Sequence, residues 1–320
     1  MEKWKIKSVF SKALQIIPLG DRLYYFIQKN ITKSVWVNNE SFKRYFVDKV
    51  IKHLTQINKH GKISLETAAF FEFGAGWDLL APIGICLVGG VKRYVTVDIN
   101  AYIRPELIKN TLKLYAENEE YIYKVCEENG IAVSDSMQRV RVLLNGFDER
   151  NLFNYIKDNL GIEYMTQSDA GHTLFEDGKF DYIITNVTLE HIPREAINSI
   201  FAECRRILKS NGMMSHTIDC QDHYSYYDKS ITVYNYLQFS NKEWQKYNTA
   251  GHFQNRLRTN DYRQLFEENG FSCIEVLYKN PTEDDRRALN TIQIADEYKE
   301  YSEDDLLIRS VHFVAKKTNT

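Results

Sequence analysis

Hydrophobic runs alternate with amphipathic segments from about residue 66 to the end of the chain. "ETAAFFEF" is a continuous apolar run that ends at Gly74, which is typical of a buried parallel strand. "WDLLAPIGICLV" follows as an apolar helix pattern that Gly89 and Gly90 stop, and "KRYVTVDI" reads as a second strand. This order of strand, glycine turn, helix and strand predicts a βαβ unit.

The same alternation continues towards the C-terminus. Amphipathic helices are predicted for "PREAINSIFAECRRIL", which "KSNG" ends, and for "TNDYRQLFEENG", with Thr259 or Asn260 as its N-cap. Five further strands are predicted, for "GIEYMTQ", "KFDYIITNV", "MMSHTIDC", "FSCIEVLYK" and "IRSVHFVAKK". The last two of these strands can pair as a hairpin across the helical segment between them.

Two helical regions stand outside this alternation. In residues 1–60, Val9, Phe10 and the apolar residues after them recur at helical spacing among lysines, and a second helix is predicted from about Asp21. Residues 101–160 are polar and too long for a plain connection between strands, so we expect a helical insertion there. The predicted organisation is an N-terminal helical cap (1–60) and one main domain (61–320) that contains the insertion.

Composition and charge narrow the class of protein. The formal net charge of −2 gives no global field that would favour nucleic acid, and no basic stripe is present. The five cysteines are scattered without a CxxC pair, which argues against a disulfide framework and a zinc ribbon. The N-terminus lacks a signal-peptide pattern, and the longest apolar stretch is too short to span a bilayer. We therefore expect a cytoplasmic protein, with peripheral membrane contact by the basic N-terminal helix as the alternative to its role as a cap.

The glycine turn in "FEFGAGWD" carries the first chemical signal. A dinucleotide fingerprint needs a third small residue, but Leu79 stands at that position. The chain instead has a carboxylate, Glu72, two residues before Gly74, and a second glycine at Gly76. Glycines let a ligand approach the main chain, and N–H groups at a helix start can bind a carboxylate.

In these features the chain resembles the class I S-adenosylmethionine-dependent methyltransferases. Asp78 stands where the third glycine of their first motif would fall, and "FDYIITNVTLEHIP" and "ILKSNGMMSH" resemble later family motifs in the family order. The resemblance covers residues 66 to about 220 and the C-terminal helix and strands. It implies an α/β fold with a doubly wound, mostly parallel seven-stranded Rossmann-like sheet, and S-adenosyl-L-methionine as cofactor.

The resemblance also implies roles for individual residues. Glu72 would help hold the amino end of the cofactor, Asp98 would accept the ribose hydroxyls, and Asp169 would meet the adenine amino group. The structural alternatives are a plain turn at the glycines, and an N-cap or loop charge for Asp98. The full predicted cofactor set is Glu72, Gly74, Ala75, Gly76, Asp98, Ile99, Asp169, Ala170 and Asn186.

The best segment for catalytic groups is "SHTIDCQDHYSYYD", which follows the fifth strand at the carboxyl edge of the sheet. His223 with Asp219 or Asp222 can form a base and its orienting partner, and His191 lies just past the fourth strand. The same segment can bind a divalent metal, or be a polar loop with one structural histidine. We expect the base and no metal.

Substrate binding is predicted for Arg256 and Arg258, which can clamp an anionic acceptor, and for Tyr224. The predicted activity is methylation of a small molecule, with a hydroxyl on a sugar or nucleotide-sugar as the favoured acceptor. "NVTL" stands where a motif for amino-nitrogen methylation would lie. Two alternatives remain: an NAD-dependent oxidoreductase, which Glu72 and Leu79 argue against, and a binding module without catalysis.

Overall fold

The fold is built on one seven-stranded sheet. The computed structural model describes residues 2–16, 25, 29, 35–249 and 253–318. The strand order is β3-β2-β1-β4-β5-β7-β6; the first five strands are parallel, and β7 runs antiparallel to both β5 and β6. The strands are β1 Ala69–Phe73, β2 Arg93–Asp98, β3 Ile162–Thr166, β4 Phe180–Asn186, β5 Leu208–Asp219, β6 Phe271–Tyr278 and β7 Ser310–Lys317.

This sheet confirms the predicted doubly wound, mostly parallel α/β fold and the terminal hairpin. Two local predictions were wrong. "KSNG" lies inside β5 rather than in a turn after a helix, because β5 begins at Leu208. The N-cap of the helix after residue 258 is Arg258, whose main-chain N–H donates to Asp261, rather than Thr259 or Asn260.

Helices cover both faces of the sheet. Those of eight residues or more are α1 Lys3–Ile16, α2 Asn39–Phe46, α3 Lys52–His60, α4 Leu80–Gly89, α5 Pro105–Glu117, α6 Glu119–Glu128, α8 Leu152–Leu160, α9 Arg194–Ile207 and α11 Thr259–Glu268. The shorter helices are α7 Val140–Asn145, α10 Asn241–Trp244, α12 Glu283–Leu289 and α13 Glu303–Leu307.

Two hydrophobic cores lie on opposite faces of the sheet. One contains residues of α2 to α8, so part of the predicted cap and the predicted insertion are packed into the same core as the sheet. The other contains residues of α9 and α11. Every residue of β1 is buried, which explains its continuous apolar pattern.

The segment that joins α2 to α3 is a single π-helical turn, Val47–Ile51. Residues 39–60 therefore form one continuous helical stretch. Its inner face carries Phe42, Phe46 and Leu54, which are completely buried. His53 and Gln56 are buried polar residues on the same stretch, and His53 is fully buried. The stretch therefore brings an imidazole to the sheet.

Helix α1 docks differently from the prediction. Val9 and Phe10 are 63% and 50% exposed, and the contact is made instead by Trp4, whose ring lies 4.7 Å from that of Tyr247. The second helix predicted from Asp21 falls almost entirely outside the described residues. Among the described helices, none combines the length and the apolar character needed to cross a bilayer.

Candidate functional site

The chain turns sharply where β1 ends. Gly74 has φ of +81°, and a Cβ there would meet Thr188 at 2.4 Å, so the position needs glycine. Gly76 has φ of +69°, but a Cβ there would meet no atom within 4 Å. The main chain at Gly76 therefore borders open space at the carboxyl edge of the sheet, the usual position of ligands in such sheets.

Glu72 is a buried carboxylate beside this turn. It is 2% exposed, and its Oε2 accepts hydrogen bonds from the hydroxyls of Tyr94 and Thr96, each at 3.1 Å. Burial raises the pKa of Glu72 to about 7, and these hydrogen bonds oppose the rise. Its carboxyl group can thus change charge near neutral pH.

Asp98 ends β2 on the other side of the turn. Its Oδ2 accepts from the Gly76 N–H at 3.3 Å, and its Oδ1 accepts from the Asn100 N–H at 2.9 Å. Burial raises its pKa, and the two N–H donors oppose that shift. Asp98 therefore braces the glycine turn and places a second carboxylate at the same open space.

A chain of buried side chains leads from Glu72 across the sheet. Asn186 Nδ2 lies 3.5 Å from Glu72 Oε1, and Asn186 Oδ1 lies 3.0 Å from His53 Nε2. His53 Nδ1 lies 2.7 Å from the Ser215 hydroxyl, which lies 3.0 Å from His312 Nε2. The far end is Thr217, whose hydroxyl lies 2.8 Å from His312 Nδ1.

The Glu72 carboxylate at one end of this series of side chains determines the direction of each hydrogen bond in it. An ionised Glu72 can only accept, so Asn186 must donate its amide and accept from His53 Nε2–H. His53 Nδ1 is then an acceptor for the Ser215 hydroxyl, which accepts in turn from His312. We call these residues the Glu72 relay: Glu72, Asn186, His53, Ser215, His312 and Thr217. All its donors point towards Glu72.

The remaining predicted cofactor residues lie around the same edge. Ala75 and Ala170 are buried in the two cores, and Ile99 is 70% exposed. The side chain of Asp169 is 61% exposed and accepts from the Gly171 N–H at 2.8 Å, and this bond lowers its pKa. Trp77 stacks between Tyr25 and Tyr102, with ring centroids 5.2 and 4.5 Å away.

A second polar cluster follows β4 and β5. His223 Nε2 lies 3.2 Å from Asp219 Oδ2, which also accepts from the hydroxyl of Tyr226. The His191 ring lies 4.9 Å from the His223 ring, and its Nδ1 lies 2.8 Å from the Phe253 carbonyl. The structure thus places His223 beside Asp219, one of its two predicted partners, and brings His191 next to this pair.

Glu190 completes this cluster, and the sequence prediction did not include it. It is 1% exposed, and Oε1 accepts from the Asp219 N–H at 3.3 Å, whereas Oε2 is buried without a hydrogen-bond partner. Burial and the nearby Asp219 carboxylate raise its pKa well above the usual range. We call Glu190, His191, Asp219 and His223 the His–Glu cluster.

Two residues predicted for this site have other roles. Asp222 does not orient His223: its carboxylate accepts from the Tyr224 N–H and from Asn235 Nδ2, both at 2.8 Å, and so holds the loop. Tyr224 is 1% exposed, and its hydroxyl donates to the Tyr247 carbonyl at 2.7 Å. The substrate-binding prediction for Tyr224 is therefore wrong, because its polar atom faces the protein interior.

The predicted arginine clamp is also wrong. Arg256 and Arg258 are 3% and 0% exposed. Arg256 donates to the carbonyls of Tyr236 and Phe239, and Arg258 donates to four carbonyls and one hydroxyl. Both guanidinium groups are buried and bonded to main-chain carbonyls, so they cannot bind the methyl acceptor.

Sequence reasoning missed His53, Ser215, His312 and Glu190. The available signal was a polar residue at a position where the apolar pattern predicts burial. "SVHFVAKK" holds His312 inside a buried strand, and "TLEHIP" holds Glu190 between an apolar residue and His191. Such a residue signals a buried partner, but not which one.

Residues 144–215 match the family model described as a methyltransferase domain. The match covers α8, β3, β4, α9 and the first part of β5, and so includes Asn186, Glu190 and His191. No curated protein sequence matches the chain.

Solved structures from several organisms are similar in outline. A protein from Pyrococcus horikoshii is 13% identical, with 91% of this chain and 98% of that chain covered and a TM-score of 0.47. Geranyl diphosphate C-methyltransferase from Streptomyces coelicolor, solved with Mg²⁺, geranyl diphosphate and S-adenosyl-L-homocysteine, is 10% identical, with 83% and 78% covered and a TM-score of 0.42.

Because these TM-scores are below 0.5, the similarity to methyltransferases depends on the family match of residues 144–215 and on the sheet itself. The sheet has the predicted parallel strands, the terminal antiparallel hairpin and the acidic glycine turn after β1. The open side of Gly76, between two carboxylates, fits a cofactor that lies against the main chain. The chain therefore has a Rossmann-like fold, and its residues 144–215 are similar to a methyltransferase domain.

Proposed function

We propose that the chain transfers the methyl group of S-adenosylmethionine to a hydroxyl oxygen of a small molecule, such as a sugar. The observation that carries this proposal is the juxtaposition of two polar sites at one edge of the sheet. The open glycine turn follows β1, and the His–Glu cluster follows β4 and β5. When bound, the cofactor supplies an electrophilic methyl group.

The residues of the first site would hold the cofactor. Asp98 would accept ribose hydroxyls, and the N–H groups beyond Gly74 would bind its carboxylate. Glu72 would attract its ammonium group, and the Glu72 relay keeps donors aimed at that carboxylate. The exposed Asp169 carboxylate is available for an amino group of the adenine.

The His–Glu cluster would activate the acceptor. A hydroxyl is a weak nucleophile until its proton is removed, and a positioned base contributes roughly 10²–10⁴-fold to the rate. His223 faces Asp219 at 3.2 Å, which is the arrangement of a base with an orienting carboxylate. This cluster favours methyl transfer over a module that only binds the cofactor.

Replacing Gly76 with alanine should weaken cofactor binding about tenfold or more, because the new Cβ projects into the open space. Gly130 is a matched control: its φ is +65°, and a Cβ there would also meet no atom within 4 Å. Both substitutions carry a similar backbone cost of about 1 kcal/mol. Calorimetric titration with S-adenosylmethionine should therefore separate Gly76→Ala from Gly130→Ala, while thermal unfolding should not. Equal affinities would remove Gly76 from the cofactor site.

Replacing His223 with alanine should lower turnover about 100-fold and leave cofactor affinity nearly unchanged. The reason is that His223 lies in the His–Glu cluster beside Asp219, which would act on the acceptor, whereas the glycine turn would hold the cofactor. The measurement is methyl transfer to a panel of sugars and nucleotide-sugars, beside titrations with S-adenosylmethionine and with NAD. Loss of cofactor binding in this variant would contradict the role, and preference for NAD would contradict the proposed function itself.

A further inference from the structure

The three donor groups of Glu190, His191 and His223 converge. One carboxylate oxygen and two imidazole nitrogens all lie within 4.8 Å of one another. Ligands of one Zn²⁺ ion lie about 2.1 Å from the metal, so tetrahedral donors are roughly 3.4 Å apart. The three atoms are therefore near one another, and an ion between them would draw them closer.

Glu190 supplies an independent observation. Its side chain is buried, at 1% exposure, and Oε2 makes no hydrogen bond in the described part of the chain. Burying a carboxylate oxygen without a partner is costly in free energy, so buried charges are normally paired or bound to a metal. Oε1 is already held by the Asp219 N–H at 3.3 Å, which fixes the carboxylate in the cluster.

The imidazoles are oriented as metal ligands usually are. His191 Nδ1 lies 2.8 Å from the Phe253 carbonyl, which can only accept, so Nδ1 carries the proton and Nε2 keeps its lone pair. His223 faces the Asp219 carboxylate. A ligand histidine typically donates its second N–H to a carbonyl or a carboxylate in this way.

The surroundings leave one side of the cluster open. Glu190 is buried, whereas His191 is solvent-exposed and His223 is partly so. A site with three protein ligands and an open side keeps a coordination position for a substrate oxygen. Two imidazoles and one carboxylate suit a first-row transition metal better than Mg²⁺ or Ca²⁺.

We propose that Glu190, His191 and His223 form a site for one divalent transition-metal ion, and that an oxygen of the methyl acceptor completes it. The inference rests on the proposed function and deepens it. An acceptor with two neighbouring oxygens, such as a vicinal diol, fits best because it can chelate. His223 would then act as a ligand, with Asp219 orienting its ring. The ion would lower the pKa of the bound hydroxyl, so that its proton passes to solvent water instead of to His223.

The test uses Co²⁺ as a spectroscopic probe, added to the full-length, chelator-treated protein, with Zn²⁺ as competitor. We expect one Co²⁺ per chain, with visible ligand-field bands that Zn²⁺ abolishes. His191→Ala should weaken binding at least 100-fold, and its exposure makes misfolding no concern. Glu190→Gln and His223→Ala should act similarly.

His172→Ala is the matched control. His172 Nδ1 lies 3.2 Å from Asp169, the same separation as in the His223–Asp219 pair, but it lies outside the cluster and is 79% exposed. Co²⁺ binding unchanged in this variant supports the site. Absence of stoichiometric Co²⁺ binding, or binding that His191→Ala leaves intact, overturns it.

Transfer assays with and without chelator separate this inference from the proposed function. Hydroxyl methylation that survives metal removal would overturn the metal inference and leave His223 as the base. Co²⁺ bound at the cluster of a protein that methylates only nitrogen or carbon would instead overturn the hydroxyl acceptor and leave the metal site standing.

Discussion

Replacing Glu72 with glutamine is expected to weaken S-adenosylmethionine binding about 100-fold at pH 7.5, while the cofactor-free protein becomes more stable. A hydrogen bond to a charged group contributes about 1.5–3 kcal/mol, and glutamine removes the charge that the cofactor ammonium would meet. Glutamine can still accept from Tyr94 and Thr96, which now hold Oε2. The side chain therefore keeps its place while losing its charge.

The stability gain has a definite pH dependence. Burial raises the pKa of Glu72 from 4.5 to about 7, so between these values the folded state binds more protons than the unfolded state. Stability then falls as the pH rises through this window, by about 3 kcal/mol in all. At pH 8 the Glu72→Gln variant should melt above the wild type, and at pH 4.5 the two should melt together.

The same titration should appear in cofactor affinity. Below pH 7 the carboxyl group of Glu72 is protonated, so wild-type affinity should fall up to tenfold per pH unit, whereas the variant should lack this step. Glu163→Gln is the control, because Glu163 lies two strands away on β3 with its side chain 49% exposed. An affinity unchanged in Glu72→Gln would exclude Glu72 from cofactor binding.

Replacing Arg258 with methionine is expected to cost at least about 4 kcal/mol in the free energy of unfolding. Its guanidinium group donates to the carbonyls of Cys220, Asp305, Leu306 and Ile308. Each buried acceptor left without a partner costs about 1–3 kcal/mol, and methionine can satisfy none of them. Arg258 therefore ties the end of β5 to the segment that enters β7.

Chemical denaturation measures this loss, and soluble yield shows whether the variant folds at all. The stability of Arg258→Lys should lie between those of the wild type and Arg258→Met, because an ammonium group has only three donors for these acceptors. The control is Arg287→Met, since the Arg287 side chain is 71% exposed and its substitution should change stability by less than about 0.5 kcal/mol. A wild-type midpoint for Arg258→Met would contradict the structural role.

The amino-acid sequence alone predicts the strands and the glycine turn after β1. Buried parallel strands are continuous apolar runs, and the seven predicted strands all form, because periodicity and glycine positions are local properties of the chain. The acidic residues at the ends of β1 and β2 were visible for the same reason. Glu72 and Asp98 interrupt or end apolar runs at the carboxyl edge of the sheet.

The partners of the polar residues depend on the tertiary structure. His53 meets Ser215 across 162 residues of sequence, and Arg258 meets Leu306 across 48. The sequence does not distinguish an arginine that binds an anionic substrate from one that binds main-chain carbonyls. Its role depends on burial and on which acceptors the fold brings within about 3 Å, and neither is a local property of the chain. For this reason the sequence located the site's edge of the sheet, but the fold alone revealed the Glu72 relay and Glu190.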